Sequence, residues 1–221
     1  MGYELDAVER RVLGVLVEKG YTTPDQYPLS MNAIVNACNQ KSCRDPQMNL
    51  DEVHVFDAID SLRGHGLAIV AHTGGRVDRY RHCVPEMLEI QAREAAILAE
   101  LLLRGPQTDG ELRQRAHRMV SIESLNLAQE LIDGLIEKGF VRCLAPGGRK
   151  RGVKYAHTLY PANEAPADQD PSETASAPSA PVSSASAPAP AASSDEVREL
   201  RELIEALTKR VDALESALGG P

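Results

Sequence analysis

The sequence repeats itself at an interval of 73 residues, and this repeat limits the possible folds more than any other feature. The segment IDSLRGHGLAIV begins at Ile59, and IDGLIEKGFVRC begins at Ile132. The triplet GGR at residues 74–76 occurs again at residues 147–149, at the same interval. Because two separate matches share one interval, the chain is predicted to contain two copies of one structural module.

Each copy is predicted to form three helices followed by a two-stranded hairpin. In the first copy, apolar spacing and turn residues predict helices and then strands at about residues 6–19, 30–39, 49–65, 67–72 and 79–84. In the second copy, the same signals predict them at about residues 90–104, 108–118, 124–138, 140–145 and 153–159. This order is typical of the winged-helix variant of the helix-turn-helix. The predicted fold is therefore mainly α with small β-hairpins, in two tandem winged-helix domains that span residues 1–85 and 86–161.

Capping residues mark where several of these helices begin. Asp6 is followed three residues later by Glu9, and Thr108 by Glu111, so each pair can form a capping box. Ser30 is the predicted cap of the second helix, and Asn49 is the predicted cap of the third.

The last third of the chain has a different composition. Residues 162–193 consist mostly of Ala, Pro and Ser, which cannot bury a core, so they are predicted to form a disordered linker. Residues 194–218 follow with a heptad pattern that predicts a parallel two-stranded coiled coil, and hence a dimer. The alternative is an amphipathic helix packed on the body. The predicted dimerisation residues are Val197, Leu200, Ile204, Leu207, Val211, Leu214 and Leu218.

Charge is distributed unevenly along the chain, whose formal net charge is −8. Residues 162–221 hold four Lys or Arg against eleven Asp or Glu, which accounts for −7 of the total. Residues 86–161 hold eleven against ten, and residues 1–85 hold nine against eleven. The two modules are therefore nearly neutral, and a local basic patch on them is electrostatically reasonable.

The second predicted wing is strongly basic, which favours contact with a nucleic-acid backbone. The candidate nucleic-acid-binding residues in the two wings are Arg149, Lys150, Arg151 and Lys154, with Arg76, Arg79 and Arg81. The middle helix of the second module adds Arg113, Arg115 and Arg118. Polar residues after the second helix add Asn39, Gln40, Lys41 and Arg44, which can equally satisfy backbone groups at a helix end.

The two third helices favour the opposite conclusion, because both are acidic. The first carries Asp57 and Asp60 with other acids, and the second carries Glu130 and Asp133. Phosphates would be repelled by such helices, so readout of the major groove is not expected. Two functions are therefore considered. The first is a dimeric, regulatory DNA-binding protein that uses its wings, and the alternative is a protein-interaction scaffold that uses the winged-helix modules and the coiled coil.

Several function classes are not expected from this sequence. The cysteines at positions 38, 43, 83 and 143 have no zinc-type spacing, and they are predicted to be thiols with no metal site. Neither a phosphate-binding loop nor a nucleophile elbow is present. We therefore expect no enzymatic activity and no cofactor. No apolar run approaches the length of a membrane span, and no signal peptide is apparent, so a cytoplasmic protein is expected.

The first module also carries a long, specific motif. The stretch ERRVLGVLVEKGYTTPDQYPLSMNAIVNACNQKSCRDP, from Glu9 to Pro46, resembles the signature of the YceH-like family of bacterial proteins of unknown function. Cys43 departs from this pattern, in which Asn is more usual. The resemblance covers about residues 3–161 and implies two tandem winged-helix domains. It implies no substrate, cofactor or catalytic residue.

Overall fold

The computed structural model describes residues 3–71, 77–144 and 152–167. In the first half, the elements are α1 (Ala7–Thr22), a 3₁₀ turn (Pro24–Gln26), β1 (Leu29–Ser30), α2 (Met31–Cys38), α3 (Glu52–Gly64), β2 (Ala68–Ala71), β3 (Arg79–His82) and α4 (Val84–Leu88). In the second half they are α5 (Ala92–Arg104), β4 (Gln107–Thr108), α6 (Asp109–Ala116), α7 (Leu125–Glu137), β5 (Val141–Cys143) and β6 (Lys154–His157). The predicted three helices and the hairpin of each copy are present.

Each half contains a small antiparallel sheet with the same topology. The strand order is β1-β3-β2 in the first sheet and β4-β6-β5 in the second. Leu29 pairs with Tyr80, and Gln107 pairs with Tyr155 at the corresponding place. The prediction of two-stranded hairpins is wrong in the number of strands, because β1 and β4 each add an edge strand of two residues. Two residues are too few to show the alternation that reveals a strand in a sequence.

The helix starts depend on short side-chain caps, most of them in the predicted places. The carboxylate of Asp6 accepts hydrogen bonds from the N–H groups of Val8 and Glu9 at 2.7 and 2.8 Å, and Glu9 closes the capping box. Thr108 and Glu111 form the second predicted box. The cap of α3 is Asp51 rather than Asn49, because the Asp51 carboxylate accepts the N–H of His54 at 2.9 Å.

The first helices of the two halves, α1 and α5, pack closely against each other. A Cβ atom at Gly14 would lie 2.9 Å from Leu103 Cγ, so the absence of a side chain permits this approach. Apolar side chains from both halves, including Leu13, Leu16, Ile97 and Leu101, belong to one buried cluster. The domain boundary between residues 85 and 86 stays a prediction.

Within the described ranges, the fold mixes α-helices with two small antiparallel sheets. Of the predicted linker at 162–193, the structure describes residues 162–167. The predicted coiled coil at 194–218 lies wholly outside the described residues. In the part of the chain that the structure covers, no helix has both the length and the apolar character needed to cross a bilayer.

Candidate functional site

Most of the predicted basic wing lies outside the described residues. The predicted wing residues that the structure does not describe are Arg76, Arg149, Lys150 and Arg151. Lys154 is described: it is exposed at the start of β6, where it pairs with Thr108 of β4. It is therefore the member of the second predicted wing whose position is known.

The cations on β3 make local contacts. The guanidinium of Arg79 donates to the carbonyl oxygen of Pro28 at 2.9 Å. Arg81 donates to the carbonyl oxygen of His82 at 3.3 Å and lies 3.7 Å from the Glu86 carboxylate. Both side chains are half-buried, so each is partly held by the protein.

The arginines of α6 are also engaged. Arg115 forms an ion pair with Glu111 at 3.1 Å and donates to the side-chain oxygen of Gln107 at 2.7 Å. Arg113 donates to the carbonyl oxygen of Glu123 at 3.1 Å. These contacts tie α6 to β4 and to the connector that leads into α7, which is a structural use of the charges.

Arg44 is not available to a nucleic acid, and its prediction as a binding residue is wrong. The residue is 5% exposed, and its guanidinium contacts the Glu18 carboxylate at 2.5 and 3.2 Å. The same group donates to the carbonyl oxygens of Ala37 and Cys43. Arg44 lies in the connector between α2 and α3, and it holds that connector against α1.

Arg118 makes a related contact in the second half. Its guanidinium nitrogens lie 2.5 Å from Glu18 and 2.5 Å from Glu100. These carboxylates raise the pKa of Arg118 although burial acts against them. Arg118 therefore bridges α1 and α5 and is a poor candidate for a phosphate contact.

Glu18 and Glu100, which are 1% and 0% exposed, are buried acids that the sequence analysis missed, as is Glu94. Burial alone would raise the pKa of Glu18, but the hydrogen bond and charge of Arg44, with the charge of Arg118, lower it below its ordinary value. Glu100 also lies 3.4 Å from Arg104. Both acids lie within runs of apolar helix residues, a position at which a charged side chain indicates a buried ion pair.

The polar residues after α2 divide between structural and exposed positions. The side chain of Asn39 donates to the carbonyl oxygen of Leu50 and accepts its N–H, both at 2.7 Å. Gln40 accepts hydrogen bonds from Lys19 and Arg44. Lys41 is exposed. The contacts of Asn39 and Gln40 fit the structural alternative for this stretch.

The outward surface of α3 carries two exposed apolar side chains, Val53 and Phe56. Val55, Ala58, Ile59 and Leu62 form its buried stripe. We define the α3 face as the exposed residues Glu52, Val53, Phe56, Asp57 and Asp60. Val53 is 67% exposed and Phe56 is 51% exposed. Since the positions 53, 56, 57 and 60 follow helical spacing, these side chains lie on one side of the helix.

The charge of the α3 face is acidic. Asp57 and Asp60 flank the apolar pair, with Asp51 and Glu52 at the start of the helix. Arg63 is the cation of this helix, and it is paired with Asp60 at 3.0 Å. The arrangement can accept an apolar side chain from a partner together with cationic groups around it.

The described residues contain no cluster of three or more His, Cys, Asp or Glu side chains that could hold a metal ion. The four cysteines are free thiols, as predicted. Burial raises the pKa of Cys38 to about 12, so it is a poor nucleophile.

Comparison with known proteins gives one consistent result. A family model described as a protein of unknown function, DUF480, matches residues 5–152. A UPF0502 protein of Rhodopirellula baltica is 51% identical over 160 residues, which cover 72% of this chain and 67% of the relative. A UPF0502 protein of Geotalea daltonii is 46% identical over 178 residues, which cover 80% and 82%. The chain therefore belongs to the DUF480 family of bacterial proteins.

Proposed function

We propose that this protein is a non-enzymatic tandem winged-helix protein that binds another protein through the α3 face. The observation that carries the proposal is the exposure of Val53 and Phe56 on the outward side of α3. Isolated exposed apolar residues are common on protein surfaces, but Val53 and Phe56 are neighbours on one helix face, and aromatic side chains are enriched in the cores of protein interfaces.

The winged-helix assignment is supported by the element order. Each half runs helix, strand, helix, helix, strand, strand, and its last strand lies in the middle of the sheet. In DNA-binding modules of this kind, the third helix enters the major groove. Here that position belongs to α3 and α7. The same surface also serves as a docking surface in a protein-binding module, so the side chains must decide between the two.

The side chains of α3 favour a protein partner over DNA. Burying a Phe side chain from water is worth about 1.5–3 kcal/mol, a gain that a phosphate backbone cannot provide. Asp57 and Asp60 repel phosphates but attract Lys and Arg. We therefore expect the partner to present an apolar side chain surrounded by basic residues.

The test is photo-crosslinking in the source cell from a residue of the α3 face. A photoreactive amino acid at Val53 is expected to capture one protein, in a complex that survives nuclease treatment. The same amino acid at Asn126, the equivalent position in α7, serves as the matched control and is expected to capture none. Capture of nucleic acid at Val53, or equal capture at both positions, would overturn the proposal.

A second candidate function is DNA binding through the second wing. It is favoured by the sequence GGRKRGVK at residues 147–154 and by the exposure of Lys154. Non-specific binding by such a patch is expected below about 100 μM and falls steeply with added salt. An anisotropy titration of duplex DNA at low salt checks it. The triple change Arg149→Gln, Lys150→Gln, Arg151→Gln is expected to abolish any binding, and absence of binding by the unaltered chain would exclude this function.

We also propose that the chain dimerises through residues 194–218. A parallel coiled coil on a long linker would hold two α3 faces close together. A partner with two binding sites would then meet the second face at a raised local concentration. Sedimentation of the full chain is expected to show a dimer, and a chain ending near residue 165 is expected to be a monomer. A dimeric shortened chain would place the interface in the two modules instead.

A further inference from the structure

One buried acid, Glu18, is shared by the two connectors that lead into the third helices. The α2–α3 connector (residues 39–51) carries Arg44, and the α6–α7 connector (residues 117–124) carries Arg118. Arg44 contacts the Glu18 carboxylate at 2.5 and 3.2 Å, and Arg118 contacts it at 2.5 Å. Glu18 is 1% exposed, so water can do little to replace either arginine. The two connectors, one from each half, therefore meet on one carboxylate.

The contacts continue to a second buried acid. Arg118 also contacts Glu100 at 2.5 Å, and Glu100 is 0% exposed. The four side chains form a row of alternating charges whose sum is zero. We define the charge row as Arg44, Glu18, Arg118 and Glu100. It runs from the first connector across α1 and the second connector to α5.

Two further cations lie beside the charge row. Lys19 Nζ is 3.6 Å from the Glu18 carboxylate, and Arg104 Nε is 3.4 Å from the Glu100 carboxylate. Among the described residues, however, Arg118 is the cation that contacts both acids. Its removal would leave two buried carboxylates near each other without the group that joins them, and like charges in a dry interior repel strongly.

Each connector determines where its third helix begins. In the first half, the Asn39 side chain donates to the carbonyl oxygen of Leu50 and accepts its N–H, both at 2.7 Å, and the next residue, Asp51, caps α3. In the second half, Ser124 ends the connector and caps α7 by accepting the N–H of Leu127 at 3.1 Å. A change in how firmly a connector is held is therefore expected to reach the start of its third helix.

We propose that the charge row couples the two connectors, so that loosening one of them loosens the start of the third helix in the other half. This coupling is independent of the partner proposed for the α3 face. For a protein that uses the α3 face, its consequence is regulatory: a ligand that displaces the α6–α7 connector would also change how firmly α3 is held.

Amide hydrogen exchange of the full chain tests the coupling from the second half to the first. In Arg118→Met, exchange of the Leu50 N–H is expected to be about tenfold faster, because opening of the α2–α3 connector lets water reach the unpaired side of Glu18. Arg115→Met is the matched control: its side chain is as exposed as that of Arg118, at 32%, but its ion pair with Glu111 stays within the second half. Leu50 exchange in this control is expected to stay within about twofold of the unaltered chain.

The reverse experiment follows the Met119 N–H, which lies beside Arg118 in the sequence and donates to the carbonyl oxygen of Ala116 at 2.9 Å. Arg44→Met, or Arg44→Gln if the first variant does not fold, is expected to speed its exchange, since coupling acts in both directions. The slowest amides of α5 provide the reference for global unfolding. The proposal fails if Leu50 exchange in Arg118→Met is unchanged, or if it rises only as much as the α5 reference. An unchanged Met119 exchange rate in the Arg44 variant would also contradict it.

Discussion

The two halves of the molecule have the same elements, yet their third helices present different surfaces. At the interval of 73 residues, Val53 and Phe56 of α3 correspond to Asn126 and Gln129 of α7. Gln129 is half-buried and hydrogen-bonded to Asp133 and Tyr155, whereas Phe56 is exposed. The acids at the next two surface positions are the same in kind: Asp57 and Asp60 in α3, Glu130 and Asp133 in α7.

The difference extends beyond these helices. Of six large apolar side chains exposed within the described ranges, five belong to the first half and one, Leu125, to the second. The buried stripes, by contrast, match: Ile59 corresponds to Ile132 and Leu62 to Leu135. Packing restricts a buried position to a few side chains, while an exposed position is free to change. One fold thus supplies two surfaces, and of the two third helices only α3 exposes an aromatic side chain.

The largest expected effect concerns the buried ion pair of the first half. Arg44→Met leaves the Glu18 carboxylate with one of its two arginines, inside the protein, and is expected to lower the free energy of unfolding by about 3–5 kcal/mol. Arg118→Met is expected to cost less, because its side chain is about one third exposed and water can replace part of its contacts. Urea unfolding of both variants measures the difference.

A double variant tests whether the loss in Arg44→Met comes from leaving the Glu18 carboxylate buried without its partner. The double variant Glu18→Gln with Arg44→Met is expected to recover part of the loss, because it removes the buried carboxylate that Arg44 neutralises. Equal losses for Arg44→Met and Arg118→Met would show that the two arginines contribute equally to stability despite their different burial.

The next effect is the pH dependence of stability, to which His157 and His82 are expected to contribute about equally between pH 6.5 and 5. Burial lowers the pKa of His157 to about 3 and that of His82 to about 4, and each ring ends the middle strand of its sheet. The unfolded chain binds these protons near pH 6.5, whereas the folded rings stay neutral to lower pH. Stability is therefore complete above pH 6.5, and it falls by about 1 kcal/mol per pH unit and per ring below that value.

Urea unfolding at pH 7, 6 and 5 measures this slope. The His157→Gln and His82→Gln variants are each expected to lose the contribution of one ring, and so to show a similar, reduced pH dependence. The exposed His54 provides the control variant His54→Gln. A slope unchanged in both buried variants would show that neither ring controls acid stability.

The smallest expected effect concerns the N-terminal caps of α2 and α6, which occupy equivalent places in the two halves. Thr108 and Glu111 exchange hydrogen bonds in a full capping box, whereas Ser30 accepts one bond from Ala33 N–H at 3.4 Å. Thr108→Ala is expected to cost about 1 kcal/mol and Ser30→Ala about half as much. Thermal unfolding of the two variants checks the order, and a larger loss for Ser30→Ala would reverse it.

The sequence predicted the repeated framework well because local signals determine it. The helices α3 and α7 can be predicted from the spacing of their own apolar residues. The caps at Asp6 and Thr108 can be predicted from residues within one helical turn. The edge strands β1 and β4 could not be predicted, because their two residues form strands only by pairing with β3 and β6.

The candidate site was harder to predict, because charge in a sequence does not show which charges meet in space. Arg44 stands in a basic and polar stretch, yet it pairs with Glu18, 26 residues away. Arg118 likewise reaches an acid on α1 from the other half. The exposure of Phe56 could not be read from its sequence neighbours either, because an aromatic residue within a helix is usually placed in the core.

The most direct test of the docking account gives α3 the surface of α7. The double variant Val53→Asn with Phe56→Gln installs the side chains that the second half has at the equivalent positions. It is expected to fold with stability within about 0.5 kcal/mol of the unaltered chain, because both sites are exposed. In a calorimetric titration with the protein captured at Val53, the account predicts binding at least about tenfold weaker. Unchanged affinity in this folded variant would contradict it.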